Sequence, residues 1–180
     1  MIRAFLALPI PEQVQSRLRL LQFLLPLPRR VPPDSFHLTL AFLDTQPDAV
    51  LEAVDDGMMA LHAAPFALSL RGLGLFGGDK PRAVWAAVAE APALIHLQAK
   101  VARVAAVAGV PVAARGFTPH VTLGRFAPPP PEQAMRLERA VVADQGFHAG
   151  PWLVEEIGLY ASMPGAEGPR YDLLASYPLG

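Results

Sequence analysis

The chain contains no cysteine, which excludes disulfides, thiolate zinc sites and a cysteine nucleophile. Lysine is almost missing too: Lys80 and Lys100 stand alone among 15 basic residues, and the rest are arginines. Charge of one sign is not in excess, since 16 acidic residues leave a formal net charge of −1. A broad basic face for bulk polyanions is therefore not expected. No apolar run reaches the roughly 18–20 residues that a bilayer-spanning helix requires. The apolar start Met1–Pro9 lacks the basic flank and long core of an export signal and reads as a first strand. Cytoplasm is the expected location, with no membrane association.

Several catalytic signatures are missing as well. There is no G-x-x-x-x-G-K-[ST] phosphate loop and no G-x-S-x-G elbow, so neither P-loop nor serine-hydrolase chemistry is implied. Gly72–Gly77 fits G-x-G-x-x-G, but Lys80-Pro81 and a strand follow it where a dinucleotide site needs a helix. That stretch reads as the approach to a hairpin. His62, His96 and His148 have no metal-ligand spacing and read as surface or satisfied interior. No cofactor, no metal and no protein partner is expected.

What is present is enough for a packed core. At 180 residues and 52% hydrophobic, the chain suits a single domain over 1–180. Proline divides it into segments. Ile2–Leu8 reads as a strand, and Pro9–Pro11 opens a helix whose Val14, Leu18, Leu21 and Leu25 share one face. Phe36–Leu43 is a strand. Thr45-Gln46-Pro47-Asp48 then resembles a helix N-cap, ahead of inward Val50, Val54, Met58 and Leu61. Pro65–Phe76 and Arg82–Ala89 form strands joined across Gly77-Gly78-Asp79-Lys80. From Pro92 a helix carries Leu94, Leu97, Val101, Val104 and Ala108 up to Gly109. Phe117–Phe126 is a strand and Glu132–Ala143 a fourth helix. Two last strands, Trp152–Ala161 and Arg170–Tyr177, flank the turn Pro164-Gly165-Ala166-Glu167-Gly168.

Two tetrapeptides dominate this plan: His37-Leu38-Thr39-Leu40 and His120-Val121-Thr122-Leu123. With only five histidines and four threonines in the chain, the doubling points to an internal duplication with pseudo-twofold symmetry. On a strand, residues i and i+2 share a face about 6–7 Å apart, so each copy sets an imidazole beside a hydroxyl. Strict alternation puts Leu38, Leu40 and Phe42 on the packed face and His37, Thr39 and Ala41 on the open one. In the second copy Val121 and Leu123 pack, while His120, Thr122 and Gly124 face away. Small Ala41 and Gly124 leave room for a ligand. Histidine titrates near neutrality and serves as acid or base. Threonine hydroxyls donate to a phosphate as charge builds on it. Two imidazoles on opposite sides of one phosphorus suit an in-line displacement, such as hydrolysis of a cyclic phosphodiester, without a metal. The arginines, including Arg29, Arg30, Arg71, Arg82, Arg115, Arg125 and Arg170, have the forked geometry for bidentate phosphate contacts.

The paired His-x-Thr-Leu signatures resemble those of the 2H phosphoesterase superfamily, and more narrowly its RNA 2′,3′-cyclic phosphodiesterases, also called 2′-5′ RNA ligases. Arg3–Leu8, Val31–Phe36, Leu73–Phe76, Val84-Trp85 and Ala166–Leu179 share the likeness, so it covers essentially the whole chain. The resemblance implies an α+β bilobal fold, with two pseudo-twofold-related antiparallel sheets lining a central cleft and helices outside. It further implies that His37 protonates the leaving 3′ oxygen and His120 activates water, giving a 2′-phosphate, with Thr39 and Thr122 on the phosphate. Arg125 matches a family arginine that approaches the phosphate; strict alternation turns it to the packed face, so that role requires a bend or a strand end there. Phe5, Phe42 and Trp152 are candidates for base stacking, with a core role as the alternative. The expected partners are RNA ends or small nucleotides carrying a 2′,3′-cyclic phosphate, recognised over a short range. Ligation by the reverse reaction and a non-catalytic RNA-binding module are the alternative functions.

Overall fold

A computed structural model describes residues 1–112, 116–166 and 168–180; Arg115 and Glu167 lie outside them. Among the described residues, eight strands and four helices follow one another as β1 (Ile2–Pro9), α1 (Glu12–Leu24), β2 (His37–Gln46), α2 (Asp48–Met59), β3 (Phe66–Phe76), β4 (Ala83–Val88), α3 (Pro92–Val107), β5 (His120–Arg125), α4 (Pro131–Ala143), β6 (His148–Val154), β7 (Glu156–Met163) and β8 (Arg170–Pro178). A single 3₁₀ turn, Pro33–Ser35, precedes β2.

All strands join one antiparallel sheet in the order β6-β3-β4-β5-β2-β1-β7-β8. The two sheets that the family resemblance implies are the two halves of this one. They meet where β2 and β5, the strands with the doubled motif, pair at Leu38 and Val121. Helices cover one face, crosswise. Helix α1, from the first half of the chain, touches β5 and β6, whereas α3, from the second half, touches β2. The buried stripe Val14, Leu18 and Leu21 of α1 and Leu94, Leu97, Val101 and Ala105 of α3 recur at helical spacing, as an apolar face must. Both stripes enter one core with Leu38, Leu40, Val121 and Leu123. None of the described helices is long and apolar enough to cross a membrane.

Several boundaries differ from the sequence reading; the strand expected over Phe117–Phe126 is shorter, His120–Arg125, and two differences matter for the topology. Thr45 does not cap α2: it stays in β2 because Ile2 and Arg3 of the long β1 pair with Gln46 and Thr45, and the helix begins after Pro47 with no side-chain cap. The single strand expected over Trp152–Ala161 is two strands. Exposed Glu155 and Glu156 break the alternation, so β6 ends on β3 at one edge of the sheet while β7 starts on β1 in the other half.

Candidate active site

The motif strands run antiparallel with Leu38 opposite Val121. This register sets His37 beside Thr122 and His120 beside Thr39, so each imidazole faces the other strand's hydroxyl. All four line one open cavity of about 210 Å³, while Leu38 and Val121 beneath them are fully buried.

Each imidazole is fixed the same way. His37 Nδ1 lies 2.7 Å from the Ser35 carbonyl, and His120 Nδ1 lies 2.7 Å from the Thr118 carbonyl. A carbonyl only accepts, so Nδ1 carries the proton in both rings, and Nε2 is left for the cavity. A neutral ring then presents a lone pair, and a protonated ring presents a donor.

Aromatic walls complete the clamp. Phe5 lies against the His37 ring at a centroid distance of 4.7 Å, and Tyr171 meets its edge at 5.0 Å. Across the cleft, Phe76 stands perpendicular to His120 at 5.0 Å and Trp85 lies at 5.6 Å. Burial lowers the His37 pKa to about 4; the Ser35 carbonyl opposes this, and the charges of Arg125 and His120 reinforce it. Burial also lowers the His120 pKa, opposed by the Thr118 carbonyl and reinforced by Arg125. Tyr171 is pushed above the usual phenol range by burial, against the pull of Arg125 and Arg3.

Beyond the threonines the strict alternation fails, in both strands and at the same place. In the β1–β2 ladder Leu6 pairs with Ala41 and Ala7 with Thr39, leaving Leu40 unopposed. In the β4–β5 ladder Val84 pairs with Gly124 and Trp85 with Thr122, leaving Leu123 unopposed. Each is a β-bulge, and an extra residue reverses the faces of the residues just beyond it; in β2 a second shift follows at Leu43. Ala41 and Gly124 consequently turn inward and are buried, contrary to the expected room-making role. Phe42 turns outward, 56% exposed, into the cleft. Arg125 turns outward by the same device and lines the cavity.

The sequence-derived candidates are thus sorted. His37, His120, Thr39, Thr122, Arg125, Phe5 and Phe42 all come together. Phe5, only 3% exposed, packs against His37 and also stacks on Tyr160 at 5.4 Å, which makes it a wall for the imidazole instead of a platform for a base. Trp152 is not in the cleft. It sits opposite Leu68 on the edge strand β6, beside a separate hollow with Pro9, Ile10 and Pro178, because the strand break at Glu155 places it in the other branch of the chain.

Further residues line the site: Arg29 and Arg30, two of the arginines whose forks suit phosphate contacts, and Arg3 and Tyr171, which sequence reasoning did not assign to it. Arg3, Arg29 and Arg30 join Arg125 around the cavity, with Asp44 as the one carboxylate among the described lining residues. The near-neutral composition hides this local cationic rim. Tyr171, Phe76 and Trp85 arrive from β8, β3 and β4, whose register no local pattern announces. Among the described residues, no three His, Asp or Glu side chains cluster as a metal site would need.

Residues 9–163 match the model of the 2′-5′ RNA ligase superfamily. A Geobacillus stearothermophilus protein named RNA 2′,3′-cyclic phosphodiesterase is 34% identical over 86% of this chain, which spans about half (49%) of that relative's length. A Thermus thermophilus protein of the same name is 32% identical over 99% of this chain and 90% of its own. The crystal structure of Escherichia coli LigT complexed with 3′-AMP superimposes with a TM-score of 0.77 at 27% identity, covering 99% of this chain and 97% of that one. With the match running through both motif strands and the fold agreeing from end to end, the chain belongs to the 2′-5′ RNA ligase superfamily, the 2H phosphoesterases.

Proposed function

We propose that the chain hydrolyses the 2′,3′-cyclic phosphate of RNA ends or small nucleotides to a 2′-phosphate. One observation carries this reading: two imidazoles, each tied through Nδ1 to a backbone carbonyl, present Nε2 to one cavity from adjacent antiparallel strands. His120 takes a proton from the attacking water as its oxygen bonds to phosphorus. The bond to O3′ breaks, and His37 Nε2 supplies the proton that O3′ needs. Thr39 and Thr122 donate to the equatorial oxygens, and Arg125 neutralises the phosphate. No step draws on a metal.

The lowered pKa of both rings fits this cycle. In the free protein they are mostly neutral near pH 7, which suits a base. A phosphate anion between them favours the charged form, so substrate binding promotes uptake from solvent of the proton that the acid gives. The names of the Geobacillus and Thermus relatives support the substrate class, as does the 3′-AMP complex of LigT. The symmetric strand order and the crosswise helices support a single duplicated domain over residues 1–180.

The test is incubation with 2′,3′-cyclic AMP in EDTA, followed by identification of the product. Adenosine 2′-phosphate is expected. The 3′ isomer would reverse the assignment of the leaving oxygen, and unchanged substrate would sink the activity. Ligation of a cyclic phosphate to a 5′-hydroxyl uses the same groups in reverse, and water, being far more concentrated, outcompetes an RNA end.

A further inference from the structure

Among the described residues, two polar side chains are buried to below 5% exposure, Gln22 of α1 and Gln98 of α3, and both serve the bulges. Gln22 Nε2 donates to the Leu123 carbonyl at 2.7 Å and to the Val31 carbonyl at 2.8 Å. The Leu123 carbonyl also accepts from Val31 N–H at 2.9 Å. The backbone carbonyl of Gln22 accepts from Arg30 Nε at 3.0 Å. Across the pseudo-twofold, Gln98 Nε2 donates to the Leu40 carbonyl at 3.3 Å. Leu40 and Leu123 are the residues left unopposed at the bulges just beyond the motif threonines.

We propose that Gln22 is a positioning residue for the substrate phosphate: by satisfying the Leu123 carbonyl it holds the bulge that aims Arg125 into the cleft, and it ties that bulge to the loop carrying Arg30 and Val31. Gln98 does the same for Phe42. The physical ground is a choice between two ladders. In a regular ladder the residue after Gly124 points to the packed face, where a guanidinium has no water. In the bulged ladder Arg125 points out, and the Leu123 carbonyl becomes a buried acceptor that needs a donor from outside the sheet. Gln22 Nε2 and the Val31 N–H are the donors, and Gln22 holds both Val31 and Leu123 by donating to their carbonyls. Gly124 closes the junction from the other side, because a Cβ there would meet the Arg29 carbonyl at 2.7 Å. No alanine fits where the matching strand has Ala41.

The inference rests on the cyclic phosphodiesterase reading for its kinetic readout, and a second readout is independent of it. Gln22→Met keeps the length and removes both donors. It is expected to raise KM for 2′,3′-cyclic AMP roughly tenfold while changing kcat by less than about threefold, as loss of uniform phosphate binding does. In an Arg125→Ala background the same change adds almost nothing, because residues acting through one another are not additive. Inorganic phosphate, titrated by NMR against the His120 ring signals, follows the same pattern. Gln98→Met leaves phosphate affinity alone and couples to Phe42→Ala. Where Gln22→Met does not fold, Gly124→Ala displaces the same junction and carries the same coupling test. Equal loss with and without Arg125, or unchanged phosphate affinity in Gln22→Met, overturns the proposal. A wild-type protein that binds phosphate with this coupling but leaves the cyclic nucleotide intact refutes the activity and leaves the positioning role standing.

Discussion

His37 and His120 occupy matched positions on β2 and β5, yet the side chains around them differ. His37 is enclosed by Phe5 and Tyr171, and the bulge beyond it delivers an aromatic ring, Phe42. His120 stands against Phe76 and Trp85, and the bulge beyond it delivers a cation, Arg125. In the proposed reaction the backbone would supply a two-sided grip on one phosphorus, and the difference in side chains would give that grip a direction. A nucleotide has an aromatic end and an anionic end, and the cleft has a counterpart for each. That direction would assign one imidazole to the leaving oxygen and the other to water.

The largest effect should come from breaking the grip itself. His37→Ala and His120→Ala are each expected to lower kcat about 10²–10⁴-fold, with the double variant far above the product of the singles, since the pair works as a unit. Steady-state rates on 2′,3′-cyclic AMP measure this, and full activity in either single variant would refute the pairing.

Next come the residues after the bulges. Arg125→Ala should raise KM by about 10–100-fold, scaled to a lost charge-assisted contact, with Arg125→Lys recovering only part because the bidentate fork is gone. Phe42→Ala should cost about 5–100-fold in affinity for nucleotides, as loss of a stacking ring does, and nothing for inorganic phosphate. If both variants lose phosphate and nucleotide in equal proportion, the cleft has no direction.

The protonation difference gives a smaller, sharper test. Both imidazoles lie below the ordinary value of 6.5, His37 at about 4, so the bell of kcat/KM for the free enzyme should peak between about 4 and 6.5. The kcat optimum should move toward neutrality, because bound phosphate raises both pKa values. An optimum of kcat/KM above 7 would contradict the burial of the rings.

Stability should record the same asymmetry. His37 is depressed on folding, so its contribution is present above 6.5 and is lost as pH falls toward 4. The loss across that window is of order 2–3 kcal/mol. Thermal melts of His37→Asn against wild type should therefore converge as the solution is acidified, and parallel curves would show that the ring is not desolvated.

How much of this was legible in the sequence follows from what each signal reports. The doubled His-x-Thr-Leu pattern is local and chemical, so the central strands, the two imidazoles and the two hydroxyls could all be read directly. The bulges could not. Leu40-Ala41 and Leu123-Gly124 are apolar pairs that look alike whichever way they point, and only the partner strand reveals the extra residue. Strict alternation alone turns Phe42 and Arg125 to the packed face, so a cleft role for Arg125 requires a bend whose position the sequence does not mark, and both line the cleft. Gln22 and Gln98 sit on amphipathic helices where a glutamine ordinarily meets solvent, and their burial depends on the crosswise packing of α1 and α3. The arginine rim depended on distant segments meeting, which net charge does not record. Expected short-range recognition of one terminal phosphate is accordingly open to a direct check against that rim. RNA affinity should fall with salt at a slope of about one to three phosphate contacts and change little with length.

The single-residue corner at Glu155 has a mechanical consequence. Strands β6 and β7 are separated in the chain by that residue alone, yet they belong to opposite halves of the sheet. One residue spans at most about 3.3–3.6 Å, so the sheet must curl until those halves touch behind the cleft. The C-terminus fastens the corner, with Leu179 N–H donating to the Glu155 carbonyl at 2.7 Å and Gly180 N–H to the Ala63 carbonyl at 3.0 Å. The jaws are thus joined at two places, by the β2–β5 pairing in front and by this stitch behind, and a hinge between them would have to tear one or the other. The placement of the two motif strands is set when the chain folds, and no opening of the sheet between them is left free to occur without breaking backbone hydrogen bonds.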